Sequence, residues 1–147
     1  MTTTVAQILS AKKTAPVANL PPDATVRQAL TLMAEQHIGS ILVMQGEALL
    51  GIFTERDYAR KIVLKGLSSI DVLLFDVMTE KLYVVSPSQT AQECMGIMTQ
   101  ARVRHLPVIE AGAVVGLVSI GDLVNALLEE QRYLIEQLET YIAGNMG

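Results

Sequence analysis

The sequence predicts an α+β chain: two tandem β-α-β-β-α repeats packed as a pseudo-twofold pair, with an extended helix at the C-terminal end. Three observations carry that prediction. The stretch Gly51-Ile52-Phe53-Thr54-Glu55-Arg56-Asp57 returns sixty-five positions later as Gly116-Leu117-Val118-Ser119-Ile120-Gly121-Asp122. Each copy follows an apolar helical stripe and a short strand-turn-strand pattern, and the two halves superpose at the same offset without a gap. Beyond the second copy, apolar residues continue at heptad-like spacing to the end of the chain.

The totals suit such a chain. At 147 residues it fits one compact domain or two small, closely packed halves. Half of the residues are hydrophobic and 18% are charged, so a large core is available, and with no Trp and few aromatics it must be aliphatic. Eleven Lys and Arg against fifteen Asp and Glu give a net charge of −4, which argues against nucleic-acid binding, because phosphate-backbone contacts need clustered basic residues. No apolar run is long enough to span a membrane, and the first residues lack the basic and apolar regions of a signal peptide. A soluble cytoplasmic chain is expected. The single Cys94 permits no internal disulfide, and no His, Cys and carboxylate cluster has metal-ligand spacing.

In chain order, residues 1–13 suggest a lead-in helical turn or an arm, and Thr14 to Leu20 a short edge strand interrupted by Pro16. Pro21-Pro22-Asp23-Ala24-Thr25 is a turn ending in a helix cap. Val26, Ala29, Leu30 and Met33 stand at i, i+3, i+4 and i+7, the inward face of a helix running to about His37, which reads as a C-terminal cap or surface group. Ser40–Met44 and Leu49–Phe53 form a hairpin around Gln45-Gly46-Glu47, and a second helix runs from Thr54 to a stop at Gly66. The same pieces recur as the stripe Ala91, Cys94, Met95 and Met98, then Val108, Val114-Val115 and Gly116. The spacing thus divides the chain into a first repeat with its arm (1–66), a linker (67–75), a second repeat (76–128) and a helical extension (129–147). Along the extension, Leu127, Leu134, Leu138 and Tyr141 form a stripe flanked by Glu129, Glu130, Arg132 and Glu136. A homodimer contact or folding back onto its own repeat would each cover it.

A strand that ends in a hydroxyl and turns into a helix gathers backbone N–H groups and a carboxylate at one rim. Such a rim suits a phosphorylated, diol-bearing ligand, because a carboxylate accepts from two vicinal hydroxyls. Thr54-x-x-Asp57 and Ser119-x-x-Asp122 also read as capping boxes, in which hydroxyl and acid satisfy the helix start. A cap can face a cleft, so the two readings are compatible. Cys94 and the seven methionines read as core filling.

The repeated Gly-apolar-apolar-Thr/Ser-x-x-Asp, together with Val77-Met78-Thr79 and Arg104-His105-Leu106-Pro107-Val108, resembles the cystathionine-β-synthase (CBS) domain. The tandem resembles a CBS pair, or Bateman module, of the stand-alone bacterial type, over roughly residues 8 to 130. The resemblance implies adenine-nucleotide binding in clefts between the repeats, with AMP first, then NAD, ADP or ATP, and S-adenosylmethionine less frequent. It assigns Asp57 and Asp122 to the ribose hydroxyls and Thr54 and Ser119 to phosphate or ribose. Thr14, Thr79 and Val84 would frame the adenine. Arg104 and His105, with Arg56 helping, would meet phosphate. The two sites are unequal, because Gly39-Ser40 stands where Arg104-His105 does and Gly121 where Arg56 does.

The function expected is therefore a non-catalytic nucleotide sensor, a homodimer passing a signal through its last helix to a regulated protein that the sequence does not name. The alternative is a structural or dimerisation protein with vestigial clefts. An enzyme is the remaining class, and neither a nucleophile–base pair nor a metal set points to one.

Overall fold

The computed structural model describes residues 2–12 and 17–146, with side chains to residue 144. By its contacts the chain divides into two compact units, Thr14–Leu82 with Ala111–Val115, and Met1–Lys13 with Tyr83–Glu110 and Gly116–Gly147.

In the first unit, β1 (Asn19–Leu20) runs parallel to β2 (Ser40–Gln45), which pairs antiparallel with β3 (Ala48–Thr54). The register Ser40↔Thr54 to Val43↔Gly51 breaks at a bulge between Val43 and Met44. Helix α2 (Val26–Gln36) covers the sheet. Its start is a capping box, Gln28 N–H donating to Thr25 Oγ1 (3.1 Å) and Thr25 N–H to Gln28 Oε1 (2.8 Å). It ends at His37 in the left-handed region (φ 54°), so the expected C-terminal cap is observed. Val26, Ala29 and Met33 bury with Ile41, Val43, Phe53, Ile62 and Leu74 in one aliphatic core.

Two expectations are corrected here. The helix after Thr54 is not uniform. It begins as α3 (Glu55–Asp57) and widens over Tyr58–Val63 into a π-helical turn, closed by Leu64 N–H on the Ala59 carbonyl (3.1 Å). The stretch expected as linker ends inside a short helix, α4 (Leu74–Val77), because Leu74 is fully buried and its N–H donates to Ala24 O (2.8 Å). After α4 the chain runs along β3, Ile52 and Thr79 exchanging backbone hydrogen bonds of 3.0 and 2.8 Å.

The second unit repeats these devices. Helix α5 (Ala91–Ala101) is capped by Thr90, buries Ala91, Cys94 and Met98, and ends at Arg102 with φ 57°. Strands β4 (His105–Glu110) and β5 (Ala113–Ser119) form the hairpin. The first strand of this repeat shrinks to one parallel bridge, Val85↔Val108, the counterpart of Leu20↔Val43. Helix α1 (Val5–Lys12), the lead-in element, belongs to this unit. Val5 N–H donates to Gln89 O (2.8 Å), and Val5 and Ile8 are buried beside Val118 and Leu123.

The motif glycines are explained by space rather than by backbone freedom. A Cβ on Gly51 would meet Met78 Sδ and Thr79 O at 2.8 Å, and one on Gly116 would meet the Leu9 methyls at 2.6–2.7 Å. Each glycine thus lets a neighbouring segment lie directly on the strand that leads into the motif.

Helix α6 (Ile120–Met146) is 27 residues long. Leu123 packs into the core and Leu127 against it, but from Gln131 to Gly144 every residue is exposed. The extension therefore does not fold back onto its own unit.

Candidate functional site

At the end of β3 the carboxylate of Asp57 is nearly buried (6% exposed) and fully engaged. Its Oδ2 accepts from Thr54 N–H (3.0 Å) and Thr54 Oγ1 (3.2 Å). Its Oδ1 accepts from Thr79 Oγ1 (2.8 Å) and pairs with Lys61 Nζ (3.1 Å). Lys61 also donates to Val77 O (2.8 Å). Four donors fill the acceptor capacity of one carboxylate. The structure brings Thr54, Asp57 and Thr79 together, while Arg56 lies on the exposed side of α3. Thr14 lies outside the described residues.

The second motif is built the same way but is less filled. Ser119 N–H donates to Asp122 Oδ2 (2.9 Å), and Asp122 N–H donates to Ser119 Oγ (3.2 Å). Both motifs are thus capping boxes as well as rims. Lys12 Nζ reaches Asp122 Oδ2 and Leu117 O, each at 2.9 Å. Among the described residues, the donors to Asp122 both use Oδ2, and its side chain keeps 19% exposure.

Ile120 N–H donates to Arg104 O (2.9 Å), tying the start of α6 to the residue before β4. His105, the first residue of β4, is half-buried and feels Asp122, Lys12 and Arg104. Burial is the larger influence and holds its imidazole below the ordinary 6.5. Asp122 opposes that shift, while Lys12 and Arg104 reinforce it. At neutral pH the ring is uncharged. Val84 is exposed, and its neighbour Val85 makes the bridge to β4.

The sign of the resulting pH dependence follows directly. The unfolded chain takes up a proton at His105 near pH 6.5, whereas the folded chain resists until the pH is lower. Stability contributed by the neutral ring is present above 6.5 and falls as the pH drops through that value toward the folded pKa. Melting temperature followed from pH 7.5 to 5 should therefore fall less in His105→Gln than in the wild type, and parallel curves would refute the assignment.

Neither Lys12 nor Lys61 is among the site residues expected from the sequence. Lys61 stands four residues after Asp57 on the same helix, a spacing that can be read from sequence. Lys12 comes from 110 positions away and carries no such signal. Cys94 is buried on the α5 stripe, where burial raises its thiol pKa and makes it a core residue. Among the described residues no group of His, Cys, Asp and Glu could hold a metal ion, and no helix is long and apolar enough to cross a membrane.

Comparison with known proteins agrees with this architecture. The family model for the CBS domain matches twice, over residues 5–64 and 74–129. A CBS domain-containing protein of Arabidopsis thaliana, CBSX3, mitochondrial by its name, is 42% identical over 127 residues. Those residues are 83% of this chain but only 62% of that relative, so the chain spans less than two thirds of its length. A protein with CBS domains from Burkholderia ambifaria MC40-6 of known structure, described provisionally as a signal-transduction protein, is 47% identical. It superposes with a TM-score of 0.83 over 88% of this chain and 96% of the other. A CBS domain protein of Pyrobaculum aerophilum complexed with AMP, 23% identical, shares the fold with a TM-score of 0.71 over 81% of this chain and 88% of its own. The chain belongs to the CBS domain family and carries two copies of the domain in tandem.

Proposed function

We propose that this chain is a non-catalytic regulatory module that binds an adenine nucleotide at the Asp122 rim, with AMP the first choice and ADP, ATP and NAD next. The observation that carries the reading is the arrangement of Asp122, whose donors among the described residues are on Oδ2, while Lys12 pairs with it and His105, preceded by Arg104, lies within its electrostatic reach. The carboxylate takes the ribose diol, one hydroxyl on the less occupied Oδ1 and the other on Oδ2, and Lys12 and Arg104 take phosphate. A positive surround disfavours the sulfonium of S-adenosylmethionine, which ranks last. The Asp57 site serves less well, because its acceptors are already filled from within the protein. The AMP bound by the Pyrobaculum protein supports the ligand class, and the provisional description of the Burkholderia protein supports a signalling role.

Regulation needs an output, and α6 supplies one. Val124, Leu128, Ile135, Leu138 and Ile142 recur at alternating four- and three-residue steps, with Gln131 the polar member of the stripe, and all of these apolar residues are exposed. We assign this face to a second copy of the chain, which makes the protein a homodimer and α6 the element a regulated protein reads. These half-exposed side chains bury on the order of 450 Å² per chain, about half of the ~800 Å² per partner of a standard interface, and their neighbours along α6 would supply the rest. A cytoplasmic location belongs to the same reading, although the Arabidopsis relative is by its name mitochondrial.

The ligand assignment is tested by melting the wild type and Asp122→Ala with millimolar AMP, ADP, ATP, NAD and S-adenosylmethionine. A nucleotide at 100 times its Kd stabilises the fold by about 2.7 kcal/mol, or roughly 5–10 °C for a chain of this size. The wild type should show that shift and Asp122→Ala should lose it. No shift with any of the five ligands would leave α6-mediated assembly as the function.

A further inference from the structure

The aspartate of each motif is held by a lysine, but the two lysines come from different parts of the chain. Asp57 pairs with Lys61 on its own helix at 3.1 Å. Sixty-five positions after Lys61 stands Ala126, which cannot make that pair. Lys12, at the end of α1, makes it instead, reaching Asp122 at 2.9 Å. Even the second contact is reproduced: Lys61 Nζ donates to Val77 O at 2.8 Å, and Lys12 Nζ donates to Leu117 O at 2.9 Å. The chain has thus supplied an ammonium to the second carboxylate by an independent route.

That ammonium stands where a ligand must act. A vicinal diol that chelates Asp122 uses both carboxylate oxygens, and Oδ2 is already shared by Ser119 N–H and Lys12. Ammonium and hydroxyl are both donors toward that oxygen, so the diol displaces Lys12 from part of its coordination. The helix beneath need not move. Val5 and Ile8 anchor α1 in the core, and Leu9 lies on Gly116, while the Lys12 side chain keeps 29% exposure and a flexible four-carbon stem. What moves is the side chain alone.

Building on the nucleotide reading above, we propose that Lys12 is the specificity-determining residue of the Asp122 site. It neutralises the carboxylate while the site is empty, and passes to the ligand's phosphate when the ribose takes its place. Once released, Lys12 has lost its carboxylate partner, and Arg104, which acts together with Lys12 on His105, is the second cation of this neighbourhood. The ligand that compensates them is a nucleotide carrying at least one dianionic phosphate. A neutral nucleoside displaces the lysine and gives it nothing in return, and a sulfonium-bearing ligand adds a further positive charge.

The experiment compares adenosine, AMP and ATP by titration calorimetry on the full chain, as wild type, Lys12→Ala and Lys12→Arg. Circular dichroism and melting confirm that each variant is folded. In Lys12→Ala the affinity for ATP should fall roughly tenfold or more, the loss expected for one charge-assisted hydrogen bond. The affinity for adenosine should hold or rise, because its competitor for Asp122 is gone. Lys12→Arg, which keeps the charge, should restore most of the preference for ATP over adenosine. If the variants bind but Lys12→Ala leaves that preference unchanged, or weakens all three ligands alike, Lys12 is a structural tether and the proposal is overturned while the nucleotide site stands. If the wild type binds none of the three, the nucleotide reading itself fails and takes this proposal with it.

Discussion

Replacing Asp57 by alanine should lower the stability of the fold by about 3 kcal/mol, a fall in melting temperature of roughly 6–12 °C for a chain of this length. The reason is the number of groups it satisfies. Thr54 N–H, Thr54 Oγ1, Thr79 Oγ1 and Lys61 Nζ all donate to one nearly buried carboxylate, which joins β3, α3 and the segment after α4. Lys61 keeps its second acceptor, Val77 O, but Thr54 and Thr79 lose theirs, and an unmatched part-buried donor costs more than the net worth of the bond it loses. Asp122→Ala removes fewer interactions from a more exposed group, so its fall in melting temperature without ligand should be clearly smaller. Thermal melts of the two alanine variants without ligand make the comparison, and equal losses would show that the two motifs are structurally equivalent.

The second large effect concerns assembly. Ile135 and Leu138 lie one turn apart on the exposed half of α6, where the structure offers them no intramolecular partner among the described residues. Changing both to Asp puts charge at the centre of the proposed helix-to-helix seam, where burial of an unpaired carboxylate is strongly unfavourable. Light scattering should register a wild-type dimer, and a double variant with the 15.9 kDa mass of one chain and an unchanged helical spectrum. A wild type that runs as a monomer, or a double variant that still dimerises, would remove α6 from the interface.

Much of the fold was legible because both repeats obey the same local rules. Thr25 and Thr90 cap equivalent helices, and His37 and Arg102 end them with the same left-handed residue. Val26, Ala29 and Met33 fall on Ala91, Cys94 and Met98, all inward. Periodicity reads such features well, because each is fixed by residues within a turn or two of one another. The first strands were harder. Two residues of β1 and the single bridge at Val85 are too short to give a period, and tertiary pairing alone defines them. The π-helical turn after Asp57 was hidden for a related reason, since α and π windings bury nearly the same residues over so short a segment.

At the candidate site the chain-local parts were readable and the long-range parts were not. Thr54 with Asp57, and Ser119 with Asp122, lie three apart, and their mutual hydrogen bonds follow from that spacing. The resemblance assigned Arg104 and His105 to phosphate, and the Ile120 to Arg104 backbone bond ties the residue before β4 to the start of the helix that carries Asp122. Lys12 was invisible because its position depends on how α1 packs within the second unit, through Val5 and Ile8, which no local pattern announces. The ion pair that most distinguishes the two motifs is thus a property of the folded chain.

The central claim is that the Asp122 rim binds an adenine nucleotide while the filled Asp57 rim does not. Titration of AMP into the wild-type protein by calorimetry tests it most directly. The expected result is one nucleotide per chain, abolished in Asp122→Ala and retained in Lys61→Ala, which removes a cation from the other motif. Binding that survives Asp122→Ala, or no binding to the wild type, would contradict it.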